Sequence, residues 1–86
     1  MNYGNEVLVT VCFEDPGHSW LRVPKCDARR VGFTPSPYSY QDQTFFYLEE
    51  DCDAPAFKKA WCSLNKSLLV STDYQEDCFV RKLNSA

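Results

Sequence analysis

Eighty-six residues, with nine Lys plus Arg against twelve Asp plus Glu and a net charge of −3, bound a single small domain. A chain this short buries only about 60–65% of its unfolded surface, and its aromatic content of 15% offsets part of that shortfall because each ring covers a large area. The acidic balance argues against a basic nucleic-acid-binding face, no apolar run approaches the ~18 residues of a membrane span, and the ordinary apolar and charged fractions exclude a disordered chain.

The first segment, MNYGNEVLVTVCFED, lacks the basic start and small-residue cleavage site of a signal peptide. With Met1 at its head, the chain reads as a complete small cytoplasmic protein. Residues 6–14, EVLVTVCFE, alternate as a half-buried strand, with Val7, Val9, Val11 and Phe13 on one face. Asp15-Pro16-Gly17-His18 is a turn, with Pro fixing one φ and Gly permitting a positive one. Trp20-Leu21-Arg22-Val23 returns as a second strand.

Pro24 suits the first turn of a helix and Gly32 the position just past its end. Phe33 to Pro37 is a rigid extended connection. Tyr38-Ser39-Tyr40 and Thr44 to Leu48 form a second hairpin around Gln41-Asp42-Gln43, with aromatic cross-strand pairs. Phe45 and Tyr47 share one face; Phe46 and Leu48 share the other. The hairpin's open edge makes a homodimer through strand pairing an alternative to a monomer.

Asp53 reads as the N-cap of a second helix, with Asp51 and Asp53 complementing its dipole. Ala54, Phe57, Trp61 and Leu64 follow as one apolar stripe, and Asn65 ends the helix. Residues 67–72 are a strand, Asp73 to Asp77 a polar turn, and Cys78 to Arg81 a short last strand before a fraying tail. The fold class is α+β: a mostly antiparallel sheet, built as hairpin-helix, hairpin-helix and one or two C-terminal strands, with two short helices on one face.

Gly17-His18, Trp20-Leu21, Val23-Pro24, then Tyr38-Ser39-Tyr40, then Tyr47 to Asp53 (YLEEDCD) form a pattern. It resembles a group of small uncharacterised proteins carried by bacteriophages, plasmids and other mobile elements of Gram-negative bacteria. The likeness covers roughly residues 15–61 and implies no catalytic residues. It implies a setting in which small accessory proteins inhibit host defence or remodel host machinery.

The candidate chemistry is sparse. His18, the only histidine, is either a general base or metal ligand, or a turn residue that supports Trp20. The five cysteines are odd in number, with no closely spaced ligand pairs. They read as reduced thiols, and no metal or cofactor is expected. No phosphate loop, nucleophile elbow or HExxH motif supports an enzyme class.

Glu49, Glu50, Asp51 and Asp53 form an acidic corner that would suit a basic groove on a partner; Tyr38, Tyr40 and Tyr47 would add contact area. Arg22, Lys25, Arg29 and Arg30 form the one basic segment, a candidate nucleic-acid contact with Tyr38 and Tyr40 as stacking platforms. The leading expectation is a non-enzymatic binding protein of a phage or mobile element. It would inhibit a host protein, such as a nucleic-acid-handling CRISPR effector, through Tyr38, Tyr40, Glu49, Glu50, Asp51 and Asp53. The alternatives are a nucleic-acid-binding accessory protein and a small His/Cys metal-dependent enzyme.

Overall fold

The computed structural model describes residues 6–86. In chain order these form β1 (Val7–Glu14), β2 (Ser19–Pro24), α1 (Lys25–Arg30), β3 (Tyr40–Gln41), β4 (Phe45–Glu49), α2 (Asp53–Cys62), β5 (Ser67–Tyr74), a 3-10 turn (Phe79–Lys82) and β6 (Asn84–Ser85). The strands make one sheet in the order β5-β1-β2-β4-β3-β6.

The α+β class holds, but the sheet is mixed. β1 and β5 run parallel in unbroken register from Val7↔Ser67 to Glu14↔Tyr74, while the other pairings are antiparallel. The cause is topological. β4 and β5 point the same way, so a crossover must join them, and α2 supplies it. That crossover lands β5 beside β1, at the far margin of the sheet.

The pleat sorts the side chains onto two faces. Leu21, Val23 and Leu48 face Ala28 of α1 and Ala54, Phe57 and Trp61 of α2, so both helices cover one face as the apolar stripes predict. Phe13, Trp20 and Tyr47 form a second cluster on the other face. Its cover is the C-terminal segment, which buries Cys78 and Val80 there. The predicted last strand over Cys78–Arg81 is therefore a 3-10 turn, because two apolar residues two apart serve a wrapping turn as well as a strand. The tail does not fray either: β6 pairs with β3 through Tyr40↔Ser85 and Gln41↔Asn84. This covers the hairpin edge that a strand-paired homodimer would have used.

Local chemistry sets the element ends. α1 stops in a paired carbonyl cap: Gly32 N–H donates to Arg29 O and Phe33 N–H to Ala28 O, with Gly32 at φ 70°. Gly17 does not take the predicted positive φ. Its backbone stays out of the left-handed region, but a Cβ there would lie 3.3 Å from Arg81 Nη2. Asn65, predicted to end the helix, lies three residues past its last residue, in the following turn at φ 60°. Leu64, predicted to extend the α2 stripe, is 52% exposed, since the helix has already ended at Cys62.

Candidate functional site

The site begins at the β1–β2 turn. Asp15 Oδ1 accepts the backbone N–H groups of Gly17 and His18, both at 2.9 Å. Its other oxygen pairs with the Arg81 guanidinium, which also donates to Oδ1 through Nη2 at 3.1 Å. This pair holds the Asp15 carboxyl well below the usual carboxylate range, against the opposing effect of burial, and it raises Arg81 in turn. Arg81 is thereby laid over the Trp20 ring, 5.2 Å from its centroid.

The acidic corner is largely spent inside the fold. Glu49 caps α2 from outside the helix: its Oε1 accepts the N–H of Cys52 and of Asp53 at 2.7 Å each, and Oε2 that of Asp51 at 2.8 Å. The predicted N-cap, Asp53, is instead the first helical residue, with Cys52 at the cap position. Asp53 is buried, and its Oδ2 accepts Ser36 N–H, Ser36 Oγ–H and Ser39 Oγ–H at 2.8, 2.7 and 2.5 Å. Ser39 Oγ accepts Glu49 N–H in turn. Asp53 is thus an internal clamp on the 36–39 turn rather than a surface charge. Glu50 lies 2.9 Å from His18 Nδ1 and accepts Ser19 Oγ–H. Of these four carboxylates, Asp51 alone is exposed, and it has no cationic partner among the described residues.

The clamped turn presents Tyr38, which is 80% exposed. Beside it opens a cleft of about 380 Å³. Trp20, Tyr38 and Tyr40 supply its aromatic surface; His18, Glu49, Asp51, Cys52 and Arg81 supply its polar rim. Four predicted partner-binding residues, Tyr38, Tyr40, Glu49 and Asp51, therefore line one cavity. Tyr47 does not: it is buried on the second core face and its hydroxyl donates to Asp42. Burial first, and the Asp42 carboxylate second, push its phenol well above the ordinary range. Trp20, Cys52 and Arg81 were not foreseen as site residues. The Asp15–Arg81 pair spans 66 positions and leaves no local signal in the chain.

The basic segment is divided by the sheet. Arg22 lies on the second face, near the Phe13 and Phe45 rings, with centroids 5.7 and 4.7 Å away. Lys25 donates to Gln41 and lies over Phe46. Arg30 is tied to Glu6 and Asp27. Hydrogen bonds from Arg30 and Lys66 lower Glu6 to about 2. Arg29 is the member of the segment exposed without an ion pair among the described residues.

Among the described residues no group of three or more His, Cys, Asp or Glu side chains is arranged to hold a metal ion. All five cysteines are free, Cys78 in the core and Cys26, Cys52 and Cys62 exposed. No helix of the described residues is long and apolar enough to cross a membrane. No family model, curated protein or solved structure matches this chain.

Proposed function

We propose that the protein is a non-enzymatic binding module that grips a partner protein through the Tyr38 cleft. The observation that carries this reading is a rigid mount for an exposed aromatic: Tyr38 stands 80% exposed on a turn fixed by a buried carboxylate. An exposed ring normally loses rotamer freedom on binding, but a turn ordered in advance lowers that cost. Tyr38 supplies area, Tyr40 and Trp20 extend it, and Asp51 supplies unpaired negative charge at the rim. This chemistry favours a protein surface carrying Arg or Lys beside an apolar contact. Within the mobile-element setting implied by the sequence resemblance, the partner is a host protein, and a nucleic-acid-handling defence complex would have such a surface.

The acidic contribution is narrower than four clustered carboxylates would give, because Glu49, Glu50 and Asp53 have internal duties. The nucleic-acid reading is weaker still, since Arg22 and Arg30 are held on different sides of the sheet.

The test is a tagged pull-down from a bacterial host lysate, with and without nuclease. The expected result is one stoichiometric protein that survives nuclease and is lost with a Tyr38→Ala, Asp51→Lys double variant of unchanged melting temperature. Recovery indifferent to both substitutions would remove the cleft from the function. Recovery that vanishes with nuclease would transfer the role to nucleic acid.

One observation favours a second reading. Glu50 orients His18 through Nδ1, and Cys52 lines the same cleft, the residue types of a thiol nucleophile with a histidine base. No hydrogen bond joins Cys52 to His18, which ranks this below binding. Loss of any measured hydrolytic activity in both Cys52→Ser and His18→Ala would reverse that order.

A further inference from the structure

The strongest unassigned surface lies at the opposite margin of the sheet, on β5. Ser67 N–H donates to Glu6 O and Gln75 N–H to Glu14 O. With the register unbroken between them, the odd-numbered residues of β5 turn their backbone groups toward β1. Leu68, Val70, Thr72 and Tyr74 must then turn theirs outward, along an edge that no strand among the described residues pairs. Edge strands are commonly guarded by Pro, bulges, brevity or Lys. β5 has eight residues, SLLVSTDY, with no Pro or Gly, no break in register and one charge, Asp73. The other margin of the sheet, β6, is two polar residues long.

The side chains agree with the backbone. Val9 and Leu69 are directly paired on the open face and are 69% and 62% exposed, and Val7 lies two residues before Val9 on that face. Val70 and Tyr74 are exposed on the other face. The marginal strand thus exposes apolar side chains on both of its faces.

We propose that this edge pairs with a second copy of the same chain, β5 against β5 antiparallel about a two-fold axis normal to the sheet. Such an axis keeps each face on its own side, so opposed residues must have the same parity. The outward backbone groups belong to even-numbered residues, so these form the hydrogen-bonded pairs. Two registers overlap the strands equally, one centred on Val70 and one on Ser71; the first, which spares Leu69 from facing Asp73, puts Val70 opposite Val70 of the second copy and Leu68 opposite Thr72. Ser67 then faces Asp73, and Leu69 faces Ser71. The charges select this arrangement over a parallel one. Before β5 stands Lys66, which shares the Glu6 carboxylate of its own chain with Arg30, and Asp73, Glu76 and Asp77 lie at or beyond its end. Antiparallel pairing brings the acidic end of one copy to the start of the other, where two cations share one carboxylate, whereas parallel pairing would set Asp73 against Asp73. The same two-fold places the Val7, Val9 and Leu69 patches of both copies on one continuous face, an isologous interface.

The test is sedimentation over a concentration series with wild type, Val70→Lys and Val70→Glu. Wild type should show a monomer–dimer equilibrium. Each single variant should weaken it at least ~10-fold, because like charges meet on the axis, and the equimolar mixture of the two should restore a heterodimer. Restoration separates an interface effect from a folding effect, and unchanged circular dichroism of each variant controls for the latter. A wild-type protein that stays monomeric to its solubility limit would overturn the proposal. So would a dimer insensitive to both variants, or a monomer that instead takes up an extended apolar peptide at this edge.

Discussion

At the scale of single residues, the acidic corner shows how little a cluster in sequence says about charge at a surface. Three of its four carboxylates have become structural: a helix cap, a histidine partner and a buried clamp. Replacing Asp53 with Ala should destabilise the fold by about 2–3 kcal/mol, because Ser36 and Ser39 lose their acceptor inside the protein. Thermal or urea melts would measure it, and a loss under ~0.5 kcal/mol would dismiss the clamp. Tyr38→Ala should leave those melts unchanged. Asp15 and Glu6 both have carboxyls held below their ordinary values by cationic partners. A lowered folded pKa contributes stability above the unfolded value, near ~4, and that contribution is lost as pH falls through the folded one. Melting temperature should therefore change little between neutral pH and about 5 from these groups, then fall, for Glu6 across the range from ~4.3 to about 2. Glu6→Gln should flatten part of that fall in a melting-temperature profile against pH. Which residue types would matter was legible in the chain. Which of them remained at the surface was not, because Glu50 and Asp53 are consumed by partners brought from other elements and Glu49 by the backbone at the start of α2.

At the scale of elements, the apolar stripe of α2 and the facing of β4 followed from periodicity alone. Phe57 and Trp61 are fully buried, and Phe57→Ala should cost about 3–5 kcal/mol through the cavity it leaves, read by chemical denaturation. Gly32 at φ 70° closes α1 in the left-handed region. Gly32→Ala should cost about 1 kcal/mol, with no steric contribution, since nothing lies within 4 Å of a Cβ there. Leu64 escaped the pattern because helical spacing does not say where a helix stops. Cys78 to Arg81 escaped it because a four-residue apolar-polar alternation is shared by strands and tight turns.

At the scale of the whole molecule, the C-terminal segment is the piece that completes the fold. It covers the Phe13, Trp20 and Tyr47 cluster, pairs β3 through β6 and delivers Arg81 to the cleft. Deleting residues 78–86 should expose Trp20, red-shift its fluorescence and broaden the unfolding transition. A truncated chain with native emission and a sharp melt would show that the second core face stands without this cover. The two proposed surfaces lie at separate places. The cleft sits where the β1–β2 turn, the 36–39 turn and the start of α2 converge, whereas β5 is the marginal strand of the sheet. Self-pairing along β5 would leave each cleft open to its own partner.

The chain by itself determined the class of the protein. Alternation and helical spacing are local properties, so β1, β2, β4, β5, the two helices and the facing of β1, β4 and α2 could be read before any contact was known. So could the gathering of Tyr38, Tyr40, Glu49 and Asp51, because the turn and the hairpin that carry them are close in sequence. Tertiary structure alone decided the rest. The parallel β1–β5 pairing depends on where a crossover helix sets its strand down, and the Asp15–Arg81 pair depends on the C-terminal segment returning across the sheet. These are choices among long-range pairings that local propensity leaves equally open, and the burial of two separate apolar faces settled them.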